Sequence, residues 1–155
     1  MVRAHLLFLL MGCLLLTGCE RGVLLADGNH APQNNWQGQW RIVNVWAEWC
    51  KPCWQEIPEL NHFYALQDSA FNQSQYSVRL LGWNFDEQQG ADLDALVEKM
   101  DIHFPVLEQW PEQWPQVDIK GLPATLLIAP DDNLHKVLWG PQSNASLHKA
   151  IEEAL

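Results

Sequence analysis

Two cysteines two residues apart, Cys50-Lys51-Pro52-Cys53, are the part of this sequence whose spacing can do chemistry. Such a pair is open to four readings: half of a zinc site, a redox dithiol, a structural disulfide or chance. A structural zinc site takes about four ligands, from a second cysteine pair or closely spaced histidines. His30, His62, His103, His135 and His148 are scattered, so no metal is expected. A disulfide across two intervening residues closes a very short loop and restrains the unfolded chain little. The redox reading has local support. A strand pattern ends at Ala47, and a helical pattern starts at about Cys50. A helix start offers unpaired N–H groups and a positive dipole end, which favour thiolate over thiol at Cys50. Lys51 adds a nearby positive charge. Cys53 should lie one turn deeper. The chemistry that follows is disulfide exchange: Cys50 attacks a partner disulfide, then Cys53 attacks the Cys50 sulfur and releases the reduced partner. It needs no cofactor beyond the Cys50–Cys53 pair.

The other two cysteines sit elsewhere for other reasons. After Met1, Val2, Arg3, Ala4 and His5 comes an almost wholly apolar stretch, Leu6 to Leu16. That is too short for a comfortable membrane span, which takes about 20 residues, and suits a secretory signal core. It ends in Leu16-Thr17-Gly18-Cys19, which resembles the bacterial lipobox. Residues 1–18 are expected to be a lipoprotein signal peptide that takes Cys13 with it. Cys19 is expected to be lipidated, anchoring the protein to a membrane and leaving the sulfur unable to form a disulfide. The compartment implied is the bacterial cell envelope outside the cytoplasm, with inner or outer membrane undecided, where a cysteine pair can cycle.

The rest of the chain must position the pair. At 155 residues, 48% hydrophobic and 18% charged, it suits one folded domain. Its 9 basic and 19 acidic side chains, net −10, argue against a nucleic-acid partner. Removing Arg3 with the leader gives 8 − 19 = −11. Residues 19–35 read as a lipidated N-terminus and tether, with a possible early hairpin strand at Val23-Leu24-Leu25. Arg41 to Ala47 reads as a buried strand, followed by a helix from about Cys50 through about Ser69, with Pro52 in its first turn and Pro58 kinking it. Tyr76 to Trp83 is a second strand and Ala91 to Met100 an amphipathic helix. Phe104 to Leu107 is a short strand, and Trp110 to Gln116 is irregular. Ala124 to Ala129 and Leu134 to Trp139 form a hairpin. A last helix, capped by Ser143 or Asn144, runs to about Ala154. The order indicates an α/β fold, a central mixed sheet flanked by helices.

Val43-Asn44-Val45-Trp46-Ala47-Glu48-Trp49-Cys50-Lys51-Pro52-Cys53 resembles the active-site segment of the thioredoxin superfamily. Gly121-Leu122-Pro123-Ala124-Thr125 resembles its cis-proline loop. The resemblance covers residues 36–155. It implies a thioredoxin-like fold, with Trp49, Lys51, Pro52, Leu122 and Pro123 meeting the partner chain. The 123 − 53 = 70 positions from Cys53 to Pro123 are more than the small thioredoxins have. The surplus, the Ala91–Met100 helix and Phe104–Leu107 strand, is similar to the insertion of the TlpA/ResA/CcmG-like branch of membrane-anchored thiol–disulfide proteins. Members of that branch mostly act as reductants, including in cytochrome c maturation.

Within that resemblance, Asn44 stands where thioredoxins place a buried aspartate, and it cannot take up a proton. Glu56, three residues after Cys53, is then the candidate proton acceptor; otherwise it is a solvated surface carboxylate. Trp46 and Trp49 match positions under and beside the site. Trp40, Trp83 and Trp139 are expected in core or edge packing. Trp110 and Trp114 either grip a partner segment or pack their loop. The expected function is an envelope thiol–disulfide oxidoreductase, a monomer reducing protein disulfides with electrons from a membrane thiol-reductant donor. An oxidant or isomerase with the same site, and a non-catalytic binding module, are the rivals.

Overall fold

The computed structural model describes residues 23–31, 36–71 and 77–155. The leader, Cys19 and Tyr76 lie outside the described residues. Trp40–Trp46 forms a seven-residue strand that is buried along its whole length, as its β-branched run predicts for a central position. With the short hairpin strands β1 (Val23–Leu24) and β2 (His30–Ala31) before it, it is β3. Beyond it come α1 (Lys51–Phe71), β4 (Val78–Asn84), α2 (Gly90–Lys99), β5 (Val106–Leu107), β6 (Ala124–Ile128), β7 (Leu134–Trp139) and α3 (Asn144–Glu152). Among the described residues the main sheet runs β5-β4-β3-β6-β7. β3 pairs parallel to β4 and antiparallel to β6.

The two faces of the sheet are covered differently. Trp40, Ile42 and Trp46 point into one cluster with Ile57, Leu60 and Phe63 of α1, Leu93 of α2, and Leu147 and Ile151 of α3. Val43 and Val45, alternating with them, point into a second cluster. That cluster is closed by Val23 and Ala31 of the N-terminal hairpin and by Trp36 and Trp114. Residues 23–31 therefore pack on the domain, tied by Ala26 N–H to Val106 O at 2.8 Å and Glu108 N–H to Leu24 O at 3.0 Å. The strand read at Phe104–Leu107 is shorter than expected. Pro105 has no N–H to give, so its carbonyl accepts from Gly82 N at 2.8 Å and regular pairing begins at Val106.

Two ends of this frame matter for the site. At one, the buried Arg41 donates to Trp36 O at 2.7 Å, Ala129 O at 2.6 Å and Asp132 Oδ1 at 2.6 Å. It also lies over the Trp114 ring, 5.4 Å from the centroid. At the other, β3 ends at Trp46 and the chain turns into α1. α1 carries no acidic residue in its first turn and continues through Pro58. α3 opens on a capping box, Ser143 and Ser146 exchanging hydrogen bonds.

Candidate active site

Cys50 ends the turn between β3 and α1, its N–H bonded to Ala47 O at 3.1 Å. Its sulfur accepts the Cys53 N–H at 3.2 Å, the place a helix-capping oxygen takes. The two sulfurs are joined in a disulfide. Cys53 has no exposed surface and Cys50 is 4% exposed, so of the two cysteines Cys50 alone has any surface open to solvent. In the dithiol form the Cys53 N–H and the positive end of the α1 dipole favour its thiolate. Lys51 and Pro52 beside it are exposed.

The cis-proline loop arrives from the other side of β3. The Leu122–Pro123 peptide bond is cis. Ala124 is paired with Val45, so Pro123 lies one step further along, level with Trp46 and the turn that holds Cys50. Leu122 is half-buried and Pro123 buried. Pro123 O accepts from Gly140 N at 2.9 Å, which ties the end of β7 to the loop. Trp139, the last residue of that strand, is exposed.

The turn itself is braced by aromatic side chains. Trp49 is 64% exposed; its indole N–H donates to Asp86 Oδ2 at 2.9 Å and its ring meets Phe85 edge-on at 6.1 Å. Trp54 donates to Glu48 O at 2.8 Å. The Glu48 carboxylate, whose negative charge opposes a nearby thiolate, is engaged by Lys99 Nζ of α2 at 2.5 Å. Neither Asp86 nor Lys99 carried a sequence signal for these contacts, because Asp86 follows β4 and Lys99 ends α2, distant in sequence from Trp49 and Glu48.

One turn along α1 from Cys53 lies a buried polar cluster. Glu56 is 1% exposed and Asn44 fully buried. Glu56 Oε1 accepts from Asn44 Nδ2 at 2.8 Å, and Oε2 accepts from Gln142 N at 2.8 Å. The second Asn44 Nδ2 proton goes to Thr125 Oγ1 at 3.3 Å. Burial pushes the Glu56 carboxyl up to about 7 from 4.5, against the two donors, which lower it. A solvated surface carboxylate is therefore not what the fold makes of Glu56. Thr125 and Gln142 escape a sequence reading, since only the sheet register and the start of α3 bring them here.

Trp114 does not fit a partner-gripping role. It is 4% exposed, packed between Trp36, tilted at 6.2 Å, and Trp110, edge-on at 5.5 Å, so it packs its loop. Trp110 is half-buried against Trp83 at 5.5 Å. It lines a cavity of about 300 Å³ with Val45, Phe85, Glu87 and Ile119.

Comparison with known proteins gives the same picture. The model of the AhpC/TSA family matches residues 23–137. Thiol-disulfide oxidoreductase ResA of Geobacillus thermodenitrificans is 23% identical over 127 residues, 81% of this chain and 69% of that protein. Sporulation thiol-disulfide oxidoreductase A of Bacillus subtilis is 28% identical over 120 residues, 76% of this chain and 69% of that protein. The crystal structure of StoA from Bacillus subtilis superposes with a TM-score of 0.63 at 23% identity, covering 83% of this chain and 92% of that one. The expected thioredoxin-like architecture is the one observed.

Proposed function

The chain belongs to the AhpC/TSA family and is a thiol–disulfide oxidoreductase; from that premise we propose that it works in the bacterial envelope as a reductant of partner-protein disulfides. The observation that supports the reading most is the Cys50 sulfur accepting the Cys53 N–H in the first turn of α1, with Cys53 itself fully shielded. In the forward reaction the Cys50 thiolate attacks one sulfur of a partner disulfide, and the other leaves as thiolate. The Cys53 thiol then gives its proton to Glu56 and attacks Cys50 Sγ. The second partner thiolate departs, and two electrons have passed to the partner. Trp49, Lys51, Pro52, Leu122 and Pro123 would line the strip along which the partner segment lies.

The finer placement belongs to the same proposal. Cleavage before Cys19 and its lipidation would hold the domain at a membrane facing the periplasm, where a membrane thiol donor reduces the Cys50–Cys53 disulfide back to the dithiol and is itself oxidised to a disulfide. Apocytochrome c is one substrate that the family resemblance suggests. The reduced chain should turn over insulin disulfides with dithiothreitol as donor, and the Cys50→Ser variant should not. Equal lack of turnover by the wild type with both thiols free would point instead to a binding module. Faster oxidation of a reduced protein than reduction of an oxidised one would reverse the direction.

A further inference from the structure

A buried carboxylate that takes and releases a proton needs surroundings that suit both of its states. Ionised, it wants donors; protonated, it wants an acceptor for its own O–H. Glu56 has donors on both oxygens, but its two oxygens are not equivalent. Oε2 faces the Gln142 backbone N–H at 2.8 Å, which can only donate. A proton on Glu56 therefore belongs on Oε1, the oxygen that faces Asn44 at 2.8 Å. As the amide stands, Nδ2 cannot receive it.

Asn44 has a spare acceptor. Among the described residues its Oδ1 is buried without a hydrogen-bond partner, a costly arrangement in a protein interior. Its Nδ2 supplies both neighbours at once, Glu56 Oε1 at 2.8 Å and Thr125 Oγ1 at 3.3 Å. An amide presents nearly the same shape when its oxygen and nitrogen exchange places. Turned by a half rotation, Asn44 would set Oδ1 where Nδ2 now sits. That oxygen has two lone pairs, and two hydroxyls can meet it: the Glu56 carboxylic acid and Thr125. The orphaned atom becomes Nδ2 instead of Oδ1, so the cost of one unpaired buried group is carried in both states rather than added.

We propose that Asn44 is a positioning residue that turns its side-chain amide when Glu56 gains its proton, donating to the carboxylate in one state and accepting from the carboxylic acid in the other. The inference rests on Glu56 being the proton acceptor for Cys53. It explains what an asparagine offers at the base of this site: an aspartate can only accept when ionised, and an apolar residue can do neither. Among the described residues, β3, β6 and the segment before α3 present the neutral Asn44, Thr125 and Gln142 to this cluster, and the titratable neighbours are on α1 itself. Cys53 stands one turn before it on α1, and Glu59 one turn after it holds Asn144 N at 3.1 Å.

The test is NMR of the full chain in its disulfide form, following the Glu56 carboxyl carbon and the Asn44 side-chain NH2 between pH 5 and 9. The Asn44 amide signals, and their proximity to Thr125, should change with the same midpoint as the Glu56 carboxyl. In Glu56→Gln, which cannot ionise, the Asn44 signals should stay constant. In Asn44→Asp, a second carboxylate next to Glu56 should move its midpoint upward by at least tenfold in proton concentration. Glu56 titrating while the Asn44 amide keeps one orientation would overturn the proposal and leave the proton-acceptor role standing. A Glu56 carboxyl that does not titrate in this range would remove both.

Discussion

A carboxylate with almost no exposed surface must give up its charge or collect donors, and Glu56 does some of each. Burial wins over the Asn44 and Gln142 donors, leaving the group near 7 instead of 4.5. The sign for stability follows. The folded state holds the proton more tightly than the unfolded chain. The contribution is therefore present below 4.5 and lost as pH rises through about 7, to the extent of roughly 3 kcal/mol. Denaturant unfolding of the oxidised protein at pH 5 and pH 8 should show the wild type losing more stability across that interval than Glu56→Gln. Equal losses would mean that the group is not perturbed. The same variant should slow the second exchange step and lose the rise of its rate with pH near 7, with the first step unchanged. The residue scale is also where the sequence was most informative. Cys50, Cys53 and Glu56 were singled out by spacing and resemblance, whereas Thr125 and Gln142 lie 125 − 56 = 69 and 142 − 56 = 86 positions from Glu56 and were beyond any local pattern.

Elements bring those residues together through the close approach of their backbones. Gly82 on β4 lies between β3 and β5, and an added Cβ would stand 3.0 Å from Val106 Cγ2, 3.1 Å from Phe104 Cε2 and 3.1 Å from Trp46 Nε1. The inserted strand can pack against Trp46, just before the site, only because position 82 has no side chain. Gly82→Ala should therefore lower stability by about 1–3 kcal/mol, measured by urea unfolding, and loosen the Trp46 environment read by fluorescence. No loss would mean that β5 can move away freely. Secondary structure at this scale was largely legible, because β3 is a continuous apolar run and α2 has a clear apolar face. What was not legible had specific causes. The Phe104–Leu107 strand shrank because of Pro105. The tryptophan loop did not declare its fate, since Trp114 is held by Arg41 and Trp36, contacts that only the folded sheet creates.

At the scale of the whole molecule, the domain has helices on one face of its sheet and a hairpin plus a tryptophan-lined segment on the other. The disulfide stands at one end of β3 and the Arg41–Asp132 pair at the other. The proposed attachment is at Cys19, four residues before the first described strand at Val23. That short connection would keep the domain close to the membrane. Cys19→Ser should move the protein from the detergent phase to the aqueous phase on Triton X-114 partition. An unchanged partition would refute lipidation at this residue. Among the described residues the acidic side chains are mostly solvated, Glu56 being the buried one.

The most direct test of disulfide exchange at this site is to express Cys53→Ser in the native host, trap thiols with acid, and identify what remains joined to the chain. Exchange through Cys50 predicts mixed disulfides between Cys50 and envelope proteins, released by reductant and absent from the Cys50→Ser, Cys53→Ser double variant. A folded Cys53→Ser chain that captures nothing, or that captures equally without Cys50, would contradict it.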